Sequence, residues 1–437
     1  MKAKKHWLVA LFVTAASLCT NGMESLKINL QQLYDIADAH NASIMSYQAA
    51  IEQKKNSVEV ARAARSPEFE ISASASYLSD VTIWDRPLEN KVTAKTPHFG
   101  NNFALAARQT LYSGGAISSG INIAYHGQEL AEVTAEENRQ RVRFLLTGHY
   151  LQLHNLLNQT KIIKQNIELT KTLIEQTQQR MEQGISLEND VTRYKLQLEN
   201  LRLEQTKVED ATKIIRHQIS TALGIDSTII LLPADEFSTT SCPIESEESW
   251  QKLAIANHTR LQKINIGTQI AEQEVRLERS ERMPNVSLVA ENHFEGPITF
   301  EVPTLDKNIN YWFVGIEIRY RLSSLWKSGR KMQEAFAKVR HNQQQQREAA
   351  DEVENAIHAA YTNYLTSFKE LETQKKAVEL ATQNYQIIRN RYTEGIVLIS
   401  EMIDAANAKI NAELGLANAK IKIIYNYYQL KYISNTL

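Results

Sequence analysis

The sequence predicts a mainly α-helical chain that also carries four amphipathic β-strands suited to a membrane, laid out as two copies of one plan. Three observations lead there: long stretches without proline, an internal repeat, and short segments whose apolar residues recur with a period of two. The chain has 437 residues.

The amino terminus comes first. Lys2, Lys4 and Lys5 precede an apolar run from Trp7 to Leu18, too short to cross a bilayer but suited to the hydrophobic region of a signal peptide. Residues 1–22 are therefore expected to be removed on export, with a cut before Met23 permitted by the small residues Thr20 and Gly22. Cys19 raises a lipoprotein alternative, against which stands the bulky Leu18 before it. Removal of Cys19 leaves Cys242 alone, with no disulfide framework and no paired-cysteine metal knuckle. A formal charge of −1 lacks the basic excess of a nucleic-acid surface. A mean hydropathy of −0.38, with no second long apolar run, excludes a helical membrane bundle.

Prolines stand at 67, 87, 97, 233, 243, 284, 297 and 303, leaving 98–232 and everything after 303 free of them. Proline breaks helices and central strands, so these stretches are free to form very long elements, and both are rich in good helix formers. The first ends in a heptad: Leu187, Val191, Tyr194, Leu198, Leu201, Gln205, Val208, Thr212, Ile215, Ile219 and Ala222 step by four and three. Ile163, Ile167, Thr170, Ile174, Thr177 and Met181 do the same upstream, and Leu414, Ala417, Ile421, Ile424 and Tyr428 near the carboxyl end. Such stripes belong to helices lying side by side. A single helix over 118–180 would run on the order of 95 Å at 1.5 Å per residue, a rod rather than a globular core.

The chain also repeats. At an offset of 217, Ala37, Ala39, Arg62, Arg65 and Pro67 fall on Ala254, Ala256, Arg279, Arg282 and Pro284. At an offset of 211, Glu137, Val142, Tyr150, Arg180, Gly184, Ile185 and Leu187 fall on Glu348, Val353, Tyr361, Arg391, Gly395, Ile396 and Leu398. The offset changes where the first copy has the longer loop, around 84–101. This divides the chain into a first repeat (23–232, hairpin 67–112), a linker (233–246) and a second repeat (247–437, hairpin 284–322). Each reads as helix, strand, loop, strand, long helix, short break, helix.

Behind Pro67, the residues Phe69, Ile71, Ala73, Ala75 and Tyr77 alternate with Glu70, Ser72, Ser74 and Ser76. Behind Tyr311, the residues Trp312, Val314, Ile316, Ile318 and Tyr320 alternate with Gly315, Glu317, Arg319 and Arg321. Weaker alternation appears in 103–111, with Arg108 on the polar side, and in 286–294. Period two with aromatic ends suits a barrel strand between lipid and water, with Arg108, Glu317, Arg319 and Arg321 toward the lumen. An ordinary half-buried sheet has the same pattern, but here an exported chain joins its strands directly to rods. Four strands leave two edges that hydrocarbon does not tolerate; three protomers would supply twelve and close them.

The order of these landmarks resembles the TolC-type outer-membrane factor family over essentially the whole mature chain. The most specific piece is R-x-x-x-G-x-x-x-x-x-[DE], at 180–190 and again at 391–401, where the second copy reads RYTEGIVLISE. The resemblance implies a homotrimer with a twelve-stranded β-barrel in outer-membrane lipid and a helical barrel in the periplasm. It further implies a passive exit duct of a tripartite efflux pump or a type I secretion system, docked to a periplasmic adaptor and an inner-membrane pump and closed by an iris-like periplasmic gate. The turns at Gly184 and Gly395 would mark the periplasmic tip. Glu401 and Asp404 would form an acidic ring at its constriction, and Asp190 and Tyr392 a latch between helices. An arginine also expected in the latch falls on Val397, a departure that puts the latch's strength in doubt. Six carboxylates around a narrow bore would attract cations and lose that preference at low pH; alternatively, Glu401 and Asp404 are solvated charges favoured at a helix start.

No phosphate loop, HExxH, GxSxG or paired-cysteine set is found, so neither a cofactor nor a catalytic role is assigned. The competing reading is a soluble periplasmic coiled-coil scaffold or adaptor whose strands form a small capping sheet. Adaptors carry one helical hairpin and a lipoyl-like segment, and neither is visible.

Overall fold

The computed structural model describes residues 25–226, 229–234, 242–301 and 304–437. The expected signal peptide, its cleavage point, Cys19 and Pro303 lie outside the described residues. The elements run β1 (Ser25–Ile28), α1 (Leu30–His40), α2 (Ala42–Ala63), β2 (Glu68–Tyr77), β3 (Val81–Trp84), β4 (Lys91–Ala94), β5 (Phe99–Tyr112), α3 (Ala116–Glu182) and α4 (Glu188–Leu223). After β6 (Ile230–Pro233) follow α5 (Glu247–Asn257), α6 (Thr259–Ser280), β7 (Asn285–Gly296), β8 (Ile309–Arg319), α7 (Ser324–Thr393) and α8 (Ile399–Ile433). Two helices, a strand pair, a very long helix, a break and a helix thus occur twice. The long helices α3 and α7 hold 67 and 70 residues. Among the described residues no helix is long and apolar enough to cross a membrane.

The contacts divide the chain into two compact units, each drawing on both halves of the sequence. The first takes residues up to 46, 137–258 and 353–437. Its largest core gathers Leu33, Tyr34 and Ala37 of α1, Leu146, Tyr150 and Leu153 of α3, and Ile215, Ile219 and Leu223 of α4. The parallel pair β1–β6 lies on this core, with Leu26 opposite Leu231. Tyr150 fixes it: the phenol donates to the Ile28 carbonyl (2.8 Å) and accepts from the Ala234 amide (3.2 Å). Asn29 caps α1 through a capping box with Gln32, satisfying orphan amides at the helix start. In the second half Tyr364 plays a similar part, donating to the carbonyls of Cys242 (3.0 Å) and Pro243 (3.2 Å). Cys242 is buried there, and burial pushes its thiol up, away from the reactive thiolate.

Most of the heptad expected on α4 is buried, at Val191, Tyr194, Leu198, Leu201, Thr212, Ile215 and Ile219, but its first member, Leu187, is exposed. The stripe expected on α8 is not the buried one. Of Leu414, Ala417, Ile421, Ile424 and Tyr428, only Ile424 is buried. The buried seam is Met402, Ala405, Ala412, Ala419, Ile423, Asn426 and Leu430, two positions away and hence about 200° round the helix. The cause is that α8 packs on more than one side. Small alanines fill its seam, while Leu414 joins the Ile163–Ile167–Leu198–Leu201 cluster and Ile421 lines a cleft against α3.

The second unit takes residues 47–136 and 259–352. Its centre is an antiparallel sheet in the order β2–β5–β7–β8. β5 and β7 join the two repeats, Phe103 opposite Phe294 and Ala107 opposite Ala290. β2 and β8 are its two edges. The long loop of the first repeat holds the short hairpin β3–β4, pairing Val81 with Ala94 and Trp84 with Lys91. β8 ends at Arg319, so Tyr320 and Arg321 lie beyond the strand expected to contain them. The Arg321 carbonyl instead accepts from the Ser324 amide (2.9 Å) and hydroxyl (2.6 Å), turning the chain into α7.

Candidate functional site

Directly paired residues in an antiparallel sheet point to the same side, so the register assigns every strand residue to a face. One face carries Phe69, Ile71, Ala73 and Tyr77 of β2, then Phe99, Phe103 and Leu105 of β5. It continues with Leu288, Ala290 and Phe294 of β7 and Trp312, Val314, Ile316 and Ile318 of β8. No charged residue falls on it. The other face carries all the strand charges: Glu68, Glu70, Arg108, Glu291, His293, Glu295, Glu317 and Arg319. There Arg108 reaches across β7 to Glu317, which also pairs with Arg319 at 2.7 Å. The residues expected to face a lumen therefore lie together, Arg321 excepted. The apolar face is bare in the single chain: Ile71 is 82% exposed and Trp312 73%.

The two helix-end turns are copies of each other. Gly184 and Gly395 both adopt φ 75°, a left-handed conformation that costs residues with a Cβ. In each, the following isoleucine amide returns to an arginine carbonyl five residues back, Ile185 to Arg180 (2.8 Å) and Ile396 to Arg391 (2.9 Å). This closes the exposed carbonyls of a helix end. Added Cβ atoms would meet nothing within 4 Å, so backbone conformation and not space calls for glycine.

Asp190 and Glu401 then occupy equivalent places, each with its amide donating to the leucine that precedes the helix, Leu187 (3.0 Å) and Leu398 (3.1 Å). The Asp190 carboxylate also accepts from the Leu187 amide at 3.2 Å, so it caps its own helix. Glu401 and Asp404 stand exposed on the first turns of α8, three residues apart. Tyr392 packs edge-on against Tyr194 of α4, ring centres 6.3 Å apart and planes at 78°. The Arg180 guanidinium sits 5.8 Å from the centre of the Tyr392 ring. Beneath them Leu173, Tyr194, Tyr385, Ile399 and Met402 form one buried cluster drawn from four helices. Burial drives the Tyr194 phenol far above its usual range, which keeps it neutral. Arg180, Tyr194 and Tyr385 were not expected in a latch. Tyr194 was visible only as a heptad position and Arg180 only as the start of the glycine box.

A long-helix repeat carrying a two-faced, open-edged sheet defines a class of membrane-channel protomer. The chain belongs to the outer membrane efflux protein family, whose model matches residues 33–225 and 250–435. It is similar to outer membrane protein TolC of Salmonella enteritidis, 18% identical over 415 residues, spanning 94% of this chain and 82% of that one. Among solved structures it resembles the outer-membrane channel OprN, with a TM-score of 0.76 at 18% identity, covering 93% of this chain and 90% of that one. Outer membrane protein VceC of Vibrio cholerae gives 0.76 at 15% identity, over 93% and 96%. The open-state MtrE outer membrane channel of Neisseria gonorrhoeae gives 0.73 at 13%, over 96% and 93%.

Proposed function

We propose that three copies of this chain form a passive exit duct of a tripartite efflux pump, crossing the outer membrane of a Gram-negative bacterium and reaching into the periplasm. The family supplies outer-membrane channels to such pumps. One observation carries the reading: a four-stranded sheet places every one of its strand charges on one face and none on the other, and its two edges are unpaired among the described residues. Hydrocarbon accepts the apolar face but not the edges, and edges from neighbouring copies satisfy one another. A soluble scaffold would leave Ile71, Trp312 and Ile316 in water.

The chain is exported by the signal peptide at 1–22. Conduction involves no chemistry on the cargo, and an inner-membrane pump reached through a periplasmic adaptor supplies the energy. Arg108, Glu317 and Arg319 line the lumen, with Arg321 at its mouth. Gly184 and Gly395 mark the periplasmic tip, Glu401 and Asp404 ring its constriction, and Asp190 and Tyr392 stand at its latch.

The test is purification from membranes and reconstitution. A duct requires detergent, runs as a heat-sensitive trimer and conducts ions across a planar bilayer. A chain released by salt or carbonate as a non-conducting species would refute it.

A further inference from the structure

We infer, on the strength of the gate reading above, that the resting tip of this chain is held by an aromatic clasp within each protomer: Tyr194 against Tyr392, with Arg180 on the Tyr392 ring. An ionic latch has lost its parts here. Val397 supplies no charge where a cation was expected, and the Asp190 carboxylate is engaged by the start of its own helix. What joins α7 to α4 at this level is the edge-on ring pair at 6.3 Å. Arg180 of α3 adds its guanidinium from 5.8 Å, so one ring ties three helices together. Tyr385, seven residues and about two turns before Tyr392 on α7, is buried in the same cluster with Lys409 of α8 5.1 Å from its ring centre.

The hydroxyls make the clasp releasable. That of Tyr385 is buried with no hydrogen-bond partner among the described residues, and those of Tyr194 and Tyr392, also buried, have at most a weak contact with each other. A buried phenol without a partner costs more than an edge-on ring contact typically returns, whereas water satisfies it as soon as the helices part. Ring packing and cation–ring attraction at a desolvated site are also screened far less by salt than an exposed ion pair. The clasp is therefore firm in geometry, modest in energy and indifferent to ionic strength. Tyr194 positions Tyr392 and has no contact with cargo.

The experiment measures resting conductance of the full trimer in planar bilayers at about 0.1 M and about 1 M KCl, spanning Debye lengths of roughly 10 to 3 Å, normalised to bulk conductivity. Tyr194→Ala is expected to raise it severalfold at both concentrations, and Tyr194→Leu, which fills the space without a ring, to raise it as well. Tyr194→Phe should stay at or below wild type. Trimer retention on unheated gels shows that the variants fold; the leucine variant decides if the alanine one does not. Wild-type conductance in Tyr194→Leu, or Tyr194→Phe opening as far as Tyr194→Ala, overturns the clasp. So does an Asp190→Asn opening that depends on salt. The acidic ring is judged separately in the Glu401→Ala, Asp404→Ala double variant: unchanged ion selectivity there removes the ring and leaves the clasp standing or falling on its own variants.

Discussion

At the scale of single residues, the positions that matter combine a special backbone or a desolvated polar group with few alternatives. Gly184→Ala or Gly395→Ala forces a Cβ into the left-handed region, which costs roughly 1–2 kcal/mol; urea unfolding should show that loss although neither methyl meets a neighbour. Tyr150→Phe removes a hydroxyl that serves the Ile28 carbonyl and the Ala234 amide, and a loss of about 1–3 kcal/mol is expected by the same measurement. His149 provides a pH test. Burial lowers its pKa from 6.5, so on acidification the unfolded chain takes up the proton first. Its contribution is complete above pH 6.5 and is lost as pH falls from there through the folded value. His149→Gln should flatten that part of the stability profile, and an unchanged profile would reject the assignment. The glycines were legible in the sequence because both copies carry the same box. The clasp was not, because Tyr194 reads there as one more heptad position and only the fold brings Tyr392 and Arg180 to it.

At the scale of elements, period two proved a faithful guide. The alternation in 69–77 and 312–318 gives the same division of faces as the hydrogen-bonded register. β1, β3, β4 and β6 went unseen, since four residues hold too few alternations to separate a strand from a loop. The seam of α8 was misjudged because a single heptad stripe presumes one packed side, whereas α8 packs on two. The face assignment carries its own prediction. Ile316→Lys places a charge on the apolar face, at a cost of about 2–4 kcal/mol if at the bilayer midplane. The trimer recovered from membranes should drop sharply, while Ser72→Lys on the opposite face should leave it near normal.

At the scale of the whole molecule, the internal repeat was the most informative feature of the sequence, because it tied strands, long helices and glycine turns into one plan occurring twice. That plan, and the family it belongs to, followed from landmarks in order. The edges of β2 and β8, unpaired among the described residues, are what the proposed trimer would satisfy. If Glu401 and Asp404 ring a constriction, the Glu401→Ala, Asp404→Ala trimer should lose cation preference in reversal-potential recordings. Unchanged selectivity in the double variant would return both residues to the role of solvated charges at a helix start.

The central claim is that the uncharged face of the sheet meets lipid and the charged face meets water. It is tested most directly by single cysteines at Ile71, Ser72, Ile316 and Glu317 in a Cys242→Ser background, each carrying a fluorophore in the reconstituted protein. Labels at Ile71 and Ile316 should be quenched by a lipid-phase quencher and spared by an aqueous one, with the reverse at Ser72 and Glu317. Aqueous quenching at all four positions, with none from the lipid phase, would contradict the account.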